Sequence, residues 1–294
     1  MRYEAPETLD SAVALLGGKV GDGGVHVLNG GTDLLVRLRS GMTEPDLVVD
    51  IKRIAGLKQI TAAEGGGWRI GAAVPSAEMS AHEGLVTDWP GVVEAAALIG
   101  STQIQGRATL AGNLCNASPA ADSVPAMIAA GAVAELAGPG GIREVAVADI
   151  PEGPGRTCLK PGEFVAAIRL PAQAPRAADA YLRFIPRTEM DIAVVGCGIW
   201  LSLGETGRID AARVALGAVG PKIIEASAAA DALKGSALDD AALDGLAAAC
   251  SAAAQPIDDK RGTVAFRRHV SGVLARRAAR IAYDRAQARK GGTA

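Results

Sequence analysis

Apolar positions along the chain recur at two periods, and the switches between them predict an alternation of helices and short strands. Residues 9–16 repeat apolar side chains at helical spacing, 25–28 (Val-His-Val-Leu) read as a short strand, and 34–39 open a second helix. Residues 47–51 read as another strand, closing a small first lobe. From about Gly56 the texture turns β-rich: 58–61 and 68–72 flank Glu64-Gly65-Gly66-Gly67, a hairpin signal. Residues 92–104 return to helical spacing, and 133–136, 143–147 and 164–171 supply the strands of a second lobe.

The segment Pro171-Ala172-Gln173-Ala174-Pro175-Arg176 is proline-bounded and small, as a linker is. Beyond it, 181–186, 193–203 and 211–218 predict a small antiparallel sheet with its turn at 204–207, followed by helices over 225–233, 239–253 and 264–289. The last helix carries Arg276, Arg280 and other basic residues on one side, which reads either as a solvated face or as a subunit contact. The expected fold class is α+β: a domain over 1–175, with lobes about 1–55 and 56–175, then a domain over 176–294 made of a small antiparallel sheet and a helical bundle.

Composition narrows the function classes. With 294 residues, 49% hydrophobic and 21% charged, the chain is long enough to bury a substantial core. Thirty basic residues against 32 acidic ones leave a net charge of −2, no electrostatic footprint for nucleic acid or an anionic membrane. No apolar run approaches the length of a membrane span or forms a signal peptide, so the expected location is cytoplasmic. Cys115, Cys158, Cys197 and Cys250 are widely separated, without the spacing of a zinc or iron-sulfur ligand set, and read as small thiols in a reducing compartment.

Two glycine motifs carry the candidate chemistry. Asn29-Gly30-Gly31-Thr32-Asp33-Leu34 falls at a strand-to-helix mouth, and Thr109-Leu110-Ala111-Gly112-Asn113 lies eighty residues on. Glycine lets main-chain amides close on phosphate oxygens and tolerates positive φ, so such turns suit a pyrophosphate, although each alone also reads as an ordinary loop. After the second motif, Ser118 reads as an N-cap with Pro119 at the first helical position, which opens a helix there. No Gly-x-Gly-x-x-Gly follows any strand candidate, which disfavours a nicotinamide-binding Rossmann domain, and no nucleophile-base pair, carboxylate dyad or metal cluster stands out.

Together these residues resemble the FAD-binding medium subunit of the molybdenum hydroxylases, of the carbon monoxide dehydrogenase and xanthine dehydrogenase type. The resemblance runs from Tyr3-Glu4-Ala5-Pro6-Glu7-Thr8-Leu9-Asp10-Ser11-Ala12, through both glycine motifs, to Asp258-Asp259-Lys260-Arg261-Gly262 and Arg267-Arg268-His269-Val270. It implies FAD extended between the two N-terminal lobes, its pyrophosphate gripped by Val27, Leu28, Asn29, Gly30, Gly31, Thr32, Asp33 and Leu34 on one side. Thr109, Leu110, Ala111, Gly112 and Asn113 grip it on the other. Thr32 and Asn113 can donate to phosphate oxygens, whereas Asp33 would repel them and is expected to accept bonds from amides of its own loop.

The resemblance further implies that Asp122 binds a hydroxyl of the flavin's sugar portion, a role that helix capping rivals. Ile99 and Val165 match apolar positions flanking the cofactor, and Arg183 stands where relatives carry a lysine near the flavin ring. Residues 186–193 resemble a loop that covers the ring; Met190 stands where xanthine dehydrogenases commonly carry an acidic residue, which weakens the case for NAD as acceptor. The implied function is an electron-transfer subunit between an iron-sulfur small subunit bearing [2Fe-2S] clusters and an external acceptor. A molybdopterin large subunit would oxidise the substrate, in a dimer of heterotrimers. A self-contained FAD-dependent oxidase is the alternative, and a non-enzymatic binding module a third reading; no catalytic base lies beside the motifs to favour the oxidase.

Overall fold

A computed structural model of the chain describes residues 1–18, 21 and 23–289. The first fifty residues supply β1 (Arg2–Glu4), α1 (Leu9–Gly17), β2 (Val25–Leu28), α2 (Leu34–Arg39) and β3 (Leu47–Asp50), with β3 paired in parallel between β1 and β2. Thr8 starts α1 by accepting a hydrogen bond from the Ser11 amide. β1 has no counterpart in the apolar pattern because all three of its residues are exposed; its pairing with β3 alone makes it a strand. The strand expected over 47–51 ends at Asp50, whose carboxylate accepts from the Lys52 amide and turns the chain into one 3-10 turn over Ile51–Arg53.

The second part opens on the expected hairpin, β4 (Ile60–Ala62) and β5 (Trp68–Gly71). A helical stretch follows: α3 (Ser76–Ala81), α4 (Glu83–Asp88), α5 (Pro90–Ala97), α6 (Thr102–Gln105), α7 (Leu110–Cys115) and α8 (Ser123–Ala130). Then come β6 (Val133–Gly138), β7 (Gly141–Ala146), the short pair β8 (Pro151–Gly153) and β9 (Arg156–Thr157), and β10 (Phe164–Leu170). All of these strands but the β8–β9 pair form an antiparallel sheet in the order β4-β5-β10-β6-β7.

Two expectations in this stretch are corrected. The helix read over 92–104 is broken, because Gly100 adopts φ +65° and separates α5 from α6; a side chain there would meet Ile104 at 2.6 Å. The helix expected from Ser118 and Pro119 begins instead at Ser123, with Pro125 in its first turn. A proline lacks an N–H that the first turn does not need, so either proline satisfies the pattern. The Asn113 side chain decides, accepting from the Ser123 amide at 3.1 Å and from its hydroxyl at 2.7 Å.

The C-terminal part is a four-stranded antiparallel sheet, β11 (Ala177–Phe184), β12 (Val195–Leu203), β13 (Ile209–Gly217) and β14 (Ile224–Glu225), followed by α9 (Ser227–Leu233), α10 (Asp240–Ala253) and α11 (Val264–Ala288). Successive side chains face opposite ways. Ala178, Ala180, Cys197, Ile199, Val214 and Leu216 join one core with Leu274, Ala275 and Ala278 of α11. Ala177, Tyr181, Trp200 and Ala215 join the other, built around α8 and the N-terminal half. Burial on both faces hid the first half of β11 from the sequence pattern, since Ala177 to Tyr181 show no polar alternation that would mark a face. The basic side of α11 is partly answered within the chain: Arg276 pairs with Asp244 and Arg280 with Asp240, both on α10. Residues 290–294 of the expected C-terminal domain lie outside the described residues.

Candidate functional site

β2 delivers the chain to the first glycine motif at the edge of a cleft. Gly31 holds φ +82°, and its Cα rests against Leu28 and Leu35, where a Cβ would fall 2.9 and 3.1 Å from their side chains. The Gly31 carbonyl then accepts from the Leu35 amide at 3.0 Å and begins α2. Gly30 packs more closely still, with a Cβ position 1.9 Å from the Arg107 carbonyl oxygen, so only glycine fits where the first motif meets the chain leading into the second.

The second motif is a helix start rather than a glycine turn. Thr109 is the N-cap of α7, φ −129° and ψ 154°, and its hydroxyl accepts from the Gly112 amide at 3.0 Å. Gly112 is helical, so the positive φ that a glycine turn would tolerate does not occur there. Asn113 follows one residue on, and its side-chain oxygen is taken by Ser123, an N–H donor that leaves the Asn113 amide nitrogen free to donate.

The two motifs line one cleft. Of the residues named from the sequence, Val27, Asn29, Gly30, Gly31, Thr32, Asp33, Leu34, Ile99, Thr109, Gly112, Asn113 and Val165 face it. Leu28, Leu110 and Ala111 are buried beneath its wall. His26, Arg37, Ala108, Cys115, Asn116, Leu159 and Phe164 complete the lining and were not identified from the sequence. Cys115 and Asn116 follow Gly112 and Asn113 at helical spacing, a signal that was present; Leu159 and Phe164 come from a distant loop and β10 and carried none.

The cleft is rich in unused donors. Among the described residues the amides of Gly30, Gly31, Thr32 and Asp33 find no protein acceptor, and neither do those of Leu110 and Ala111 in the first turn of α7. The Asn29 side-chain oxygen is buried without a partner. Asp33 departs from expectation: it is exposed and its carboxylate caps no amide of the loop. Burial, with Arg37 nearby, lowers the pKa of the His26 imidazole. Arg37 itself brings a cation to the rim. Four free amides, of Gly30, Gly31, Thr32 and Asp33, with a positive side chain and a threonine hydroxyl in one groove suit a diphosphate, since donors left without an acceptor are costly unless a ligand completes them.

Asp122 and Arg183 stand apart from this lining but meet each other. Asp122 precedes α8 without capping it, and its carboxylate takes the Arg183 guanidinium at 2.8 Å and the Tyr181 hydroxyl at 3.4 Å. Burial pushes the Asp122 carboxyl up to about 6, against the opposing pull of Arg183 and Tyr181. The Arg183 Nε remains buried and unpartnered. Asp122 is joined to the cleft through its neighbour Ser123, the residue that holds Asn113.

Ile192 and Ala193, at the end of the 186–193 segment, line a second depression with Ser118, Pro119, Ala120, Pro256 and Ile257. Met190 sits at φ +52°, 57% exposed, and Asp191 is held between Arg187 at 3.3 Å and Arg261 at 3.7 Å. The Asp259 and Arg267 of the C-terminal motif serve the fold: Arg267 is buried, donating to Asp259 at 2.6 Å and to the carbonyls of Val194 and Ala218.

Residues 1–173 match the family model for the FAD binding domain in molybdopterin dehydrogenase, and residues 180–282 that for the CO dehydrogenase flavoprotein C-terminal domain. The chain is 33% identical over 285 residues, 97% of each protein, to the carbon monoxide dehydrogenase medium chain of Afipia carboxidovorans. It is 29% identical to a putative xanthine dehydrogenase FAD-binding subunit of Escherichia coli, over 91% of each. A solved structure of reconstituted CO dehydrogenase from Oligotropha carboxidovorans contains a chain that superposes with a TM-score of 0.90 at 31% identity, covering 96% of this chain and 97% of that one. Quinoline 2-oxidoreductase from Pseudomonas putida 86 gives a TM-score of 0.87 at 26% identity, over 97% of each chain. Sequence motifs, cleft and fold thus converge, and the chain belongs to the FAD-binding medium-subunit family of the molybdenum hydroxylases, as an oxidoreductase subunit.

Proposed function

We propose that the chain holds FAD along the cleft and relays electrons from the [2Fe-2S] clusters of an iron-sulfur small subunit to an external acceptor. Substrate oxidation belongs to a molybdopterin large subunit, in a cytoplasmic dimer of heterotrimers. The observation that carries this reading is the set of four unpartnered amides, from residues 30–33, in one groove with the side chain of Asn113. The proposed division is a FAD-binding domain over 1–175, with lobes about 1–55 and 56–175, and a second domain over 176–294. Among the described residues no group of three or more His, Cys, Asp or Glu side chains is placed to hold a metal, and no helix is long and apolar enough to cross a membrane.

The residues divide the work. Gly30, Gly31, Thr32, Leu110 and Ala111 would present N–H groups to the pyrophosphate, and Asn113 its side-chain amide. Val27, Ile99 and Val165 would exclude water along the groove. Asp122 would accept from a hydroxyl of the sugar portion while Arg183, a cation beside it, favours negative charge on the ring. Bound FAD supplies the capacity to accept electrons singly and release them singly or in pairs.

Purified alone, the chain is expected to be yellow and yet to oxidise no purine, aldehyde or aromatic heterocycle. Adding the iron-sulfur and molybdopterin subunits brings substrate-dependent acceptor reduction, which is lost when the flavin is stripped although substrate still reduces the other centres. Turnover by the isolated chain would replace this reading with the self-contained oxidase.

A further inference from the structure

The first glycine motif lines the cleft, and two cations outside the cleft hold two of its carbonyls. The Lys52 Nζ donates to the Asn29 carbonyl at 3.0 Å, and the Arg107 Nε donates to the Gly30 carbonyl at 3.3 Å. No peptide bond in the described chain is cis. In a trans peptide the C=O and the following N–H lie antiparallel, so fixing the Asn29 carbonyl fixes the Gly30 N–H, and fixing the Gly30 carbonyl fixes the Gly31 N–H. Neither Lys52 nor Arg107 lines the cleft, and the two approach the loop from different places, Lys52 from the 3-10 turn after β3 and Arg107 from the connection between α6 and α7.

Lys52 is itself held. Its ammonium pairs with Asp50 at 2.7 Å, and Asp50, buried at the end of β3, also accepts from the Tyr3 hydroxyl at 2.7 Å and from the Lys52 amide. Tyr3, Asp50 and Lys52 thus form a brace from β1 through β3 to the loop. The opposing groups have no such freedom to swing: Gly30 touches the Arg107 carbonyl, so the Arg107 side chain folds back onto the very loop its own main chain supports.

We infer that Lys52 and Arg107 are positioning residues for the pyrophosphate site, acting through the Asn29-Gly30 and Gly30-Gly31 peptide planes to aim two consecutive amides at the anion. This rests on the FAD reading above and assigns the loop's binding geometry to two cations that do not line the cleft. Either peptide, released, can rotate its carbonyl toward the cleft and present an oxygen where a phosphate must lie. Both cations also place positive charge behind the amides, though Asp50 offsets that of Lys52.

The test is titration of the full apo chain with FAD and, separately, with ADP, which carries the same pyrophosphate without the flavin. Arg107→Met is the clean variant because Arg107 is exposed. Lys52→Met would strand the Asp50 charge, so it is paired with Asp50→Asn to remove both charges together. Each variant is expected to lose about tenfold in affinity for FAD and for ADP, the effect of one charge-assisted hydrogen bond. Arg107→Lys should restore most of the loss, and the thermal midpoint of apo Arg107→Met should match wild type. Affinities within twofold of wild type in both variants overturn the inference while leaving the FAD reading intact. A wild-type chain that binds neither FAD nor ADP overturns both.

Discussion

Asp122, at the foot of α8, and Arg183, on β11, are 61 residues apart in sequence and 2.8 Å apart in space. The pair crosses from the N-terminal half to the C-terminal sheet, and both partners are almost closed off from solvent, with side-chain exposures of 11% and 5%. If the carboxylate also bonds a sugar hydroxyl, Asp122→Ala should weaken FAD retention by about 1–3 kcal/mol. Flavin release on dilution measures this. Unchanged flavin affinity with a lower apo thermal midpoint would leave Asp122 only the ion pair with Arg183.

Substitutions at the two glycines of the first motif should part company with one at Gly112. Gly30→Ala drives a methyl into the Arg107 carbonyl, and Gly31→Val places a branched residue at φ +82°. Both should yield folded, colourless protein. Gly112→Ala meets only the Thr109 hydroxyl at 3.0 Å in a helical backbone, and its fold should survive with a gain in helix propensity of about 1 kcal/mol. Full flavin occupancy in Gly31→Val would refute the assignment of this loop.

Thr109→Val removes the hydroxyl that accepts from the Gly112 amide while keeping the side chain's shape. The loss of a helix cap costs about 1 kcal/mol. Because the same helix start sets Gly112 and Asn113 on the cleft, flavin affinity should fall alongside the thermal midpoint. A drop in stability with flavin affinity intact would separate α7 from cofactor binding.

Asp179 accepts from the amides of Gly91 and Val92, at 3.0 and 2.9 Å, and is fully buried; burial raises its carboxyl to about 7 despite those bonds. Asp122 is raised to about 6 by the same cause. Both titrate near 3.8 when unfolded, so the folded chain holds their protons more tightly. Their stabilising contribution is complete below about pH 4 and disappears as pH rises through the folded values. Chemical denaturation across pH 4 to 8 should therefore show a smaller decline in Asp179→Asn than in wild type, and parallel curves would contradict the raised value.

How much of this was readable beforehand differs by element. β2, the Asn29 to Asp33 loop and α2 were legible together, because an apolar run, a glycine pair and a helical repeat follow one another without interruption. The beginning of β11 was not, since burial on both sides erases alternation. Ile99 and Val165 entered only through resemblance to a family, and the structure puts both at the cleft. The meeting of Asp122 with Arg183 depends on how a sheet docks against α8, which no local pattern encodes. The start of α8 depended on a side chain ten residues earlier, Asn113, choosing Ser123 over Ser118.

All eight residues of α8 are buried, and the helix is shared property. It belongs to the N-terminal core yet lies against β12 and β13, where Gly198 and Gly217 bring the strands within reach of Pro125; a Cβ would fall 2.6 Å from its carbonyl oxygen at one and 2.8 Å from its ring at the other. Heat cannot melt either half without stripping a wall from the other. Local opening of that region is thereby tied to global unfolding. A chain that divides on paper into lobes and domains should accordingly denature as one cooperative unit, with calorimetric and van't Hoff enthalpies in agreement.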